Sequence, residues 1–245
     1  SMIVINAAMA HQLNEFKANI DLLVSQGMEQ EEALYKVLKE MIIASKNIRF
    51  EGDGYSEEWK EEALKRGLTN ISHVPEAIMR FNDKQSREVL IGENIFNENE
   101  LICRIEVELE KFTKKVQIES RVLGDLAINH IVPTAVIYQN RLLENLRGLR
   151  ETFSQVEYEM LGADRRELVK EIQFRILEIK QLVREMTEAR RISNRLTSQV
   201  EKAYSYEEKV RPYMEQIREH IDHLELEIDD EIWPLPKYRE LLFTK

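Results

Sequence analysis

Apolar residues recur every three or four positions along most of the chain, which is the spacing of one face of an amphipathic helix. The first such face consists of Met9, Leu13, Phe16, Ile20 and Leu23. Gly27 ends this pattern, and a second face runs from Ala33 to about Lys46 behind an acidic start that suits a helix N-terminus. Residues 1–47 are therefore predicted to form a helical hairpin.

Residues 48–96 have shorter patterns and more turn signals. Gly52 and Gly54 flank Asp53, which marks a turn, and Ser56 can cap a short helix. If Gly54 has a positive φ, its replacement by alanine should destabilise the turn by roughly 1 kcal/mol or more. This part of the chain is predicted to be an irregular segment with short helices.

Residues 97–245 carry the longest patterns and are predicted to form a bundle of long helices. Asn97 and Glu100 resemble a capping box at the start of a helix that Pro133 should kink or break. The tail contains Trp233-Pro234-Leu235-Pro236, followed by Tyr238, Leu241, Leu242 and Phe243. Such a tail docks either on this fold or on another protein.

Two sustained heptad stripes follow the long helix. The first runs from Ile172 to Met186, and the second runs from Val210 to Ile228 after a break near Ser205. Stripes of this kind predict an antiparallel hairpin that packs like a coiled coil, and Ile179→Asp in its seam should cost several kcal/mol, to order of magnitude. The predicted fold class is all-α, a helical bundle with a long antiparallel coiled-coil-like hairpin and a short irregular middle segment.

Composition supports a helical protein and excludes several classes. The 245 residues include only 8 glycines and 5 prolines, fewer than sheet-rich folds need for their turns. Hydrophobic residues make up 43%, so the chain can form a core and is not a disordered tail. The net charge is −10 and no run of basic residues occurs, which argues against a nucleic-acid partner.

The cysteine content, the apolar stretches and the first residues of the chain indicate the compartment of the protein and its relation to a longer one. The single cysteine, Cys103, excludes an intrachain disulfide and favours an intracellular protein. No apolar stretch approaches the ~20 residues that span a bilayer, and the start lacks the pattern of a secretory signal. Ser1 before Met2 is typical of a residue added in cloning, so we expect a piece of a longer protein.

The residue types that carry chemistry do not form a convincing site. His220 and His223 form the densest group of possible metal ligands together with Glu219, Asp222 and Glu225. A metal-dependent helical enzyme built on them is one hypothesis, although the neighbouring apolar positions should turn these side chains toward solvent. A ferritin-like di-iron bundle is excluded because no histidine follows a glutamate by three residues.

Two further residues have structural interpretations. Cys103 lies between apolar positions of a helix and is predicted to be a buried, inert thiol. His130 is expected to hydrogen-bond a carbonyl freed by Pro133 rather than to act in catalysis. The residues alone thus predict a helical protein with no catalytic, cofactor-binding or metal-binding residue of its own.

The most specific part of the sequence lies between residues 48 and 150. It contains Phe50-Glu51-Gly52-Asp53-Gly54-Tyr55-Ser56-Glu57-Glu58-Trp59, Gln117-Ile118-Glu119-Ser120-Arg121, Asn129-His130-Ile131-Val132-Pro133-Thr134-Ala135 and Tyr138-Gln139-Asn140-Arg141-Leu142. These stretches resemble the region beyond the catalytic domain of the type III glutamine synthetases, the long-subunit bacterial form. The start, Ile5 to Ala10, resembles the stretch just after the catalytic barrel of that family.

The resemblance implies a parent enzyme that ligates ammonia to glutamate with ATP and magnesium or manganese, and that assembles as a cytoplasmic dodecamer. The family binds its substrates and metals in its N-terminal regions, and this chain has no counterpart of the family's lysine-proline ATP signature or metal-binding glutamates. The implied role is therefore structural and non-catalytic. The implied partners are the catalytic domain of the same chain and neighbouring subunits, without nucleic acid or membrane.

A different class of function remains open at this point. The heptads from Ile172 to Ile228 are also typical of a free-standing coiled-coil scaffold or adaptor. That hypothesis predicts a natural protein that begins near Met2 and binds a partner unrelated to nitrogen metabolism.

Overall fold

A computed structural model describes residues 2–242, apart from the side chains of Tyr238 and Arg239. Within these residues the chain forms helices and no β-strand, which confirms the predicted all-α class. None of the described helices combines the length and the apolarity that crossing a bilayer requires. The chain divides into two compact units, residues 1–108 and 109–245, while the division into residues 1–47, 48–96 and 97–245 stays a prediction.

The first unit consists of short and medium helices. They are α1 (Met2–Ser25), α2 (Gln30–Ala44), α3 (Glu57–Lys65), α4 (Val74–Met79), α5 (Lys84–Gly92) and the beginning of α6 (Glu98–Leu126), with 3₁₀ turns at Ser45–Ile48 and Arg80–Asn82. Helix α1 packs against α2 and α5. Glu93 fixes the second contact, since its carboxylate oxygens lie 2.8 Å from His11 Nδ1 and 2.9 Å from Asn14 Nδ2.

The loop before α3 is held by a stack of aromatic rings. The rings of Phe50 and Trp59 stack at 4.0 Å, and the guanidinium of Arg66 lies 5.8 Å and 5.7 Å from their centroids. Ser56 Oγ accepts a hydrogen bond from the Trp59 amide at 3.2 Å, which confirms the predicted helix cap. The irregular segment is therefore locally ordered by cation–π and capping interactions.

The condition of a positive φ at Gly54 is not met, because the left-handed residue of this turn is Gly52, with φ +143°. Asp53 Oδ1 accepts a hydrogen bond from the Tyr55 amide at 2.9 Å, so a side chain stabilises that part of the turn without left-handed backbone. A Cβ at Gly52 would lie 2.9 Å from Phe50 Cζ, so only glycine fits there without displacing the stacked ring.

The second unit is built on three long, antiparallel helical segments. Its helices are the remainder of α6, α7 (Val132–Thr152), α8 (Gln155–Leu161), α9 (Ala163–Ser193), α10 (Gln199–Ser205), α11 (Arg211–Glu227) and α12 (Tyr238–Leu242). The first half of α9 meets the second half of α11 where Arg175 approaches His220, and the end of α9 meets the end of α10 where Ser193 approaches Ser205. This confirms the predicted antiparallel hairpin.

The seam of that hairpin is the core of the second unit. Helix α9 contributes Ile172, Ile176, Ile179 and Met186, while Val210, Ile217, Ile221 and Leu224 face them from the returning segment, and all eight are buried. Ile179 is 0% exposed, as the heptad pattern predicted. Trp233 is also buried in this cluster, and Leu235 packs against it, so this part of the tail docks on the fold. Leu241 and Leu242 are exposed, and Phe243 lies outside the described residues.

Pro133 does not break the long helix. The chain passes through a π-helical turn, Ala127–Ile131, directly into α7. Proline lacks an N–H and its ring crowds the carbonyl four residues earlier, and a wider π turn accommodates both effects. Thr134 Oγ1 donates to the His130 carbonyl oxygen at 2.9 Å. A second π turn, Tyr206–Val210, leads into α11 just before Pro212 in the same way.

Helix ends account for the remaining differences between prediction and structure. The predicted break near Ser205 is wrong, because α9 ends at Ser193 and Ser198 caps α10, accepting from the Glu201 amide at 3.4 Å. Helix α8 was not predicted, although Ser154 and Glu157 form a capping box that its sequence contains. The capping box at Asn97 and Glu100 is confirmed by bonds of 2.8 Å and 2.9 Å.

Candidate functional site

The histidines of α11 have separate structural partners. His220 lies edge-on to Phe174, with ring centroids 6.0 Å apart, and its Nδ1 is 3.5 Å from Arg175 Nη1. His223 Nδ1 instead lies 2.8 Å from the Glu219 carbonyl oxygen of its own helix. Over residues 2–242, no group of three or more histidine, cysteine or acidic side chains converges as metal ligands would.

The environment of His220 disfavours its charged form. Burial lowers the pKa of His220, and the positive charge of Arg175 lowers it further. The negative charges of Glu178 and Glu219 raise the pKa of His220, and the charge of His223 lowers it. His220 is therefore a packing residue between α9 and α11 that resists protonation.

Cys103 and His130 both have exposed side chains. The predicted burial of Cys103 is wrong because the buried face of α6 follows Leu101, Ile105 and Leu109, and Cys103 is two residues from the first two of them. Two residues correspond to about 200° around a helix, which places the thiol on the opposite side. At the π turn, the side chain that donates to a backbone carbonyl is Thr134 and not the His130 ring.

Helix α1 presents an apolar stripe that no described residue of its unit covers. Ile5, Met9 and Leu13 follow one another at spacings of four, and they are 59%, 61% and 63% exposed. The prediction that Met9 and Leu13 belong to the buried face of α1 is therefore wrong. The residues on the less exposed side of this helix are Ala7, Phe16, Ile20 and Leu23.

Helix α2 has a second stripe of the same kind. Tyr35, Leu38 and Ile42 lie at spacings of three and four, and each is more than 40% exposed. Exposed apolar residues at helical spacing mark surfaces that bind another protein segment. We call these two sets the exposed stripes of α1 and α2.

A polar cluster joins α6 to the end of α9 in the second unit. Asn194 Oδ1 accepts from Tyr206 Oη at 2.8 Å and from Gln117 Nε2 at 3.2 Å. Arg190 Nη1 approaches Ser120 Oγ at 3.5 Å, close to Arg121. Burial raises the pKa of Tyr206, so its phenol stays a neutral donor. Residues 117–121 are distinctive in the sequence, but no local pattern places them beside α9.

Comparisons with known proteins give a consistent picture. Residues 33–150 match the family model described as the glutamine synthetase C-terminal domain. Over its whole length, the chain is 70% identical to a glutamine synthetase of Bacteroides fragilis and covers 34% of that protein. It is 29% identical to a type-3 glutamine synthetase of Dictyostelium discoideum, over 99% of this chain and 33% of that protein. The chain thus spans about a third of the length of these relatives.

Proposed function

We propose that the chain, whose residues 33–150 match the glutamine synthetase C-terminal domain family, is a non-catalytic helical region that helps to assemble a type III glutamine synthetase. The parent enzyme would ligate ammonia to glutamate at the expense of ATP. In this proposal, ATP and magnesium or manganese bind the part of the enzyme that the chain does not span. The whole enzyme would be a cytoplasmic oligomer, a dodecamer by family resemblance.

The exposed stripes of α1 and α2 are the observation that carries the assembly role. Burying apolar surface stabilises a contact by about 25 cal/mol per Å², so stripes that face water in this chain favour association with another segment. The relatives are about three times as long as the chain. The rest of the same enzyme, either its catalytic domain or a neighbouring subunit, is therefore the proposed occupant.

The first test concerns the natural protein. An antibody raised against the chain is used to capture the protein from its source cells, and the captured material is assayed for glutamine synthesis. We expect a subunit far heavier than 29 kDa that carries the activity. A natural species of the size of this chain, without activity, would support the coiled-coil scaffold instead. Glutamine synthesis by the purified chain alone would contradict the non-catalytic role.

The second test locates the covered surface. Met9 is 61% exposed in this chain, whereas Met186 is 0% exposed. Hydrogen peroxide oxidation, read by mass spectrometry, should modify Met9 rapidly in the isolated chain and slowly in the intact enzyme. Met186 should react slowly in both. Equal, rapid oxidation of Met9 in the two proteins would show that its stripe stays in contact with water after assembly.

A further inference from the structure

The first unit contains an apolar cavity of about 260 Å³. Exposed residues of α1, Ile3 and Val4, lie on its lining, so the cavity reaches the protein surface. Drug-sized ligands occupy pockets of about 300–1,000 Å³, whereas an apolar cavity of about 150 Å³ is enough to bind benzene. A molecule somewhat larger than benzene therefore fits here. The other apolar side chains of the lining are Ile78, Phe81, Phe96, Leu101 and Ile105.

Two opposite charges line the same cavity from α6. Arg104 and Glu108 are four residues apart, so their side chains lie on one face of the helix. The guanidinium carbon of Arg104 lies 4.8 Å from the centroid of the Phe96 ring. A guanidinium held over a ring still presents N–H donors to a carboxylate, and a carboxylate such as that of Glu108 has acceptor sites for more than one donor.

The ring beneath Arg104 is held by the backbone around it. The Phe96 amide donates to the Leu90 carbonyl oxygen at 3.0 Å, and the capping box of Asn97 and Glu100 follows at once. Because these bonds order the loop before a ligand arrives, binding requires less additional ordering of the protein.

We propose that this cavity binds a free amino acid with an apolar side chain. The side chain lies against the apolar walls, the α-carboxylate accepts from Arg104 and the α-ammonium donates to Glu108. An apolar molecule without charges would use the walls alone, whereas an amino acid of this kind uses the walls and both charged groups. This inference does not rest on the proposed function, because it concerns a ligand of the first unit alone.

The test is an NMR titration with L-phenylalanine of the chain isotopically labelled at its isoleucine methyl groups. Ile78 and Ile105 line the cavity, whereas Ile179 lies in the core of the second unit. We expect saturable shifts of the first two methyl signals and no shift of the third. Glycine lacks the side chain, and glutamate would place a charge against the apolar walls, so both should bind about tenfold or more weakly.

Two analogues of phenylalanine test the charged groups separately. Phenylpropanoate lacks the ammonium, and phenethylamine lacks the carboxylate. Each should bind about tenfold or more weakly than phenylalanine. Equal binding of either analogue would show that one of the two charged groups is not used, which overturns the assignment to an amino acid.

Three variants of α6 test the residues. Arg104→Gln and Glu108→Gln should each weaken binding of phenylalanine by about tenfold or more. The control Glu106→Gln removes an exposed carboxylate outside the lining of the cavity, and it should change binding by less than about twofold. Linear, unsaturable shifts, or equal weakening by the control, would overturn the proposal.

A last arm uses the natural full-length protein. Equilibrium dialysis with radiolabelled phenylalanine compares the parent with Arg104→Gln, and the difference in bound ligand reports this cavity. We expect the parent to bind more. No difference would show that another segment of the protein fills the cavity, which also overturns a site for a free amino acid.

Discussion

Replacement of Ile179 by alanine tests whether the seam between α9 and α11 stabilises the second unit. The side chain is 0% exposed and belongs to the buried cluster that includes Ile217 and Trp233. The substitution deletes three carbon atoms, which at about 0.8 kcal/mol per buried methylene removes about 2.4 kcal/mol of transfer free energy. The cavity left behind adds to this, giving a total of about 2–5 kcal/mol.

The assay follows the second unit separately from the first. The chain has two tryptophans, Trp59 in the first unit and Trp233 in the core of the second. In a Trp59→Phe background, the fluorescence of Trp233 reports urea unfolding of the second unit alone. The matched control is Leu177→Ala, two residues away on the same helix but 57% exposed, for which we expect a change within about 0.5 kcal/mol.

The comparison between the two variants decides the question. The seam is not packed in solution as described if the free energy of unfolding falls by the same amount in both variants. The same conclusion follows if it falls by less than about 1 kcal/mol in Ile179→Ala. Ile179→Asp should be more damaging than Ile179→Ala, since it places a charge among apolar side chains. An Asp variant as stable as the parent would contradict the whole arrangement of the hairpin.

Three further predictions concern single positions. Gly52→Ala should lower the free energy of unfolding of the first unit by about 1 kcal/mol or more, whereas Gly54→Ala should change it little; urea unfolding followed by the fluorescence of Trp59, which stacks on Phe50, measures both. Cys103 should react with a thiol reagent in the native chain almost as fast as in urea, and protection in the native chain would place it inside. The lowered pKa of His220 means that the unfolded state binds more protons below about pH 6.5, so stability falls as the pH drops below that value. The melting temperature of His220→Gln should therefore fall less than that of the parent between about pH 7 and 5.5.

The sequence by itself determined the helical class and the position of several helix starts. These features depend on neighbours three or four residues apart, through capping side chains and the repeat of apolar positions. The cap at Ser56, the capping box at Asn97 and the buried stripe around Ile179 were accordingly predicted correctly. Helix α8 was missed although its Ser154 signal is local.

Only the tertiary structure decided which apolar and charged side chains meet. Met9 has the same spacing as a core residue but is exposed, because burial depends on whether another element covers that side of α1. Arg190 and Ser120 are 70 positions apart in sequence, so no local pattern brings them together. The passage of the long helix through Pro133 likewise required a π turn, which widens the backbone where a standard α-helix would be broken.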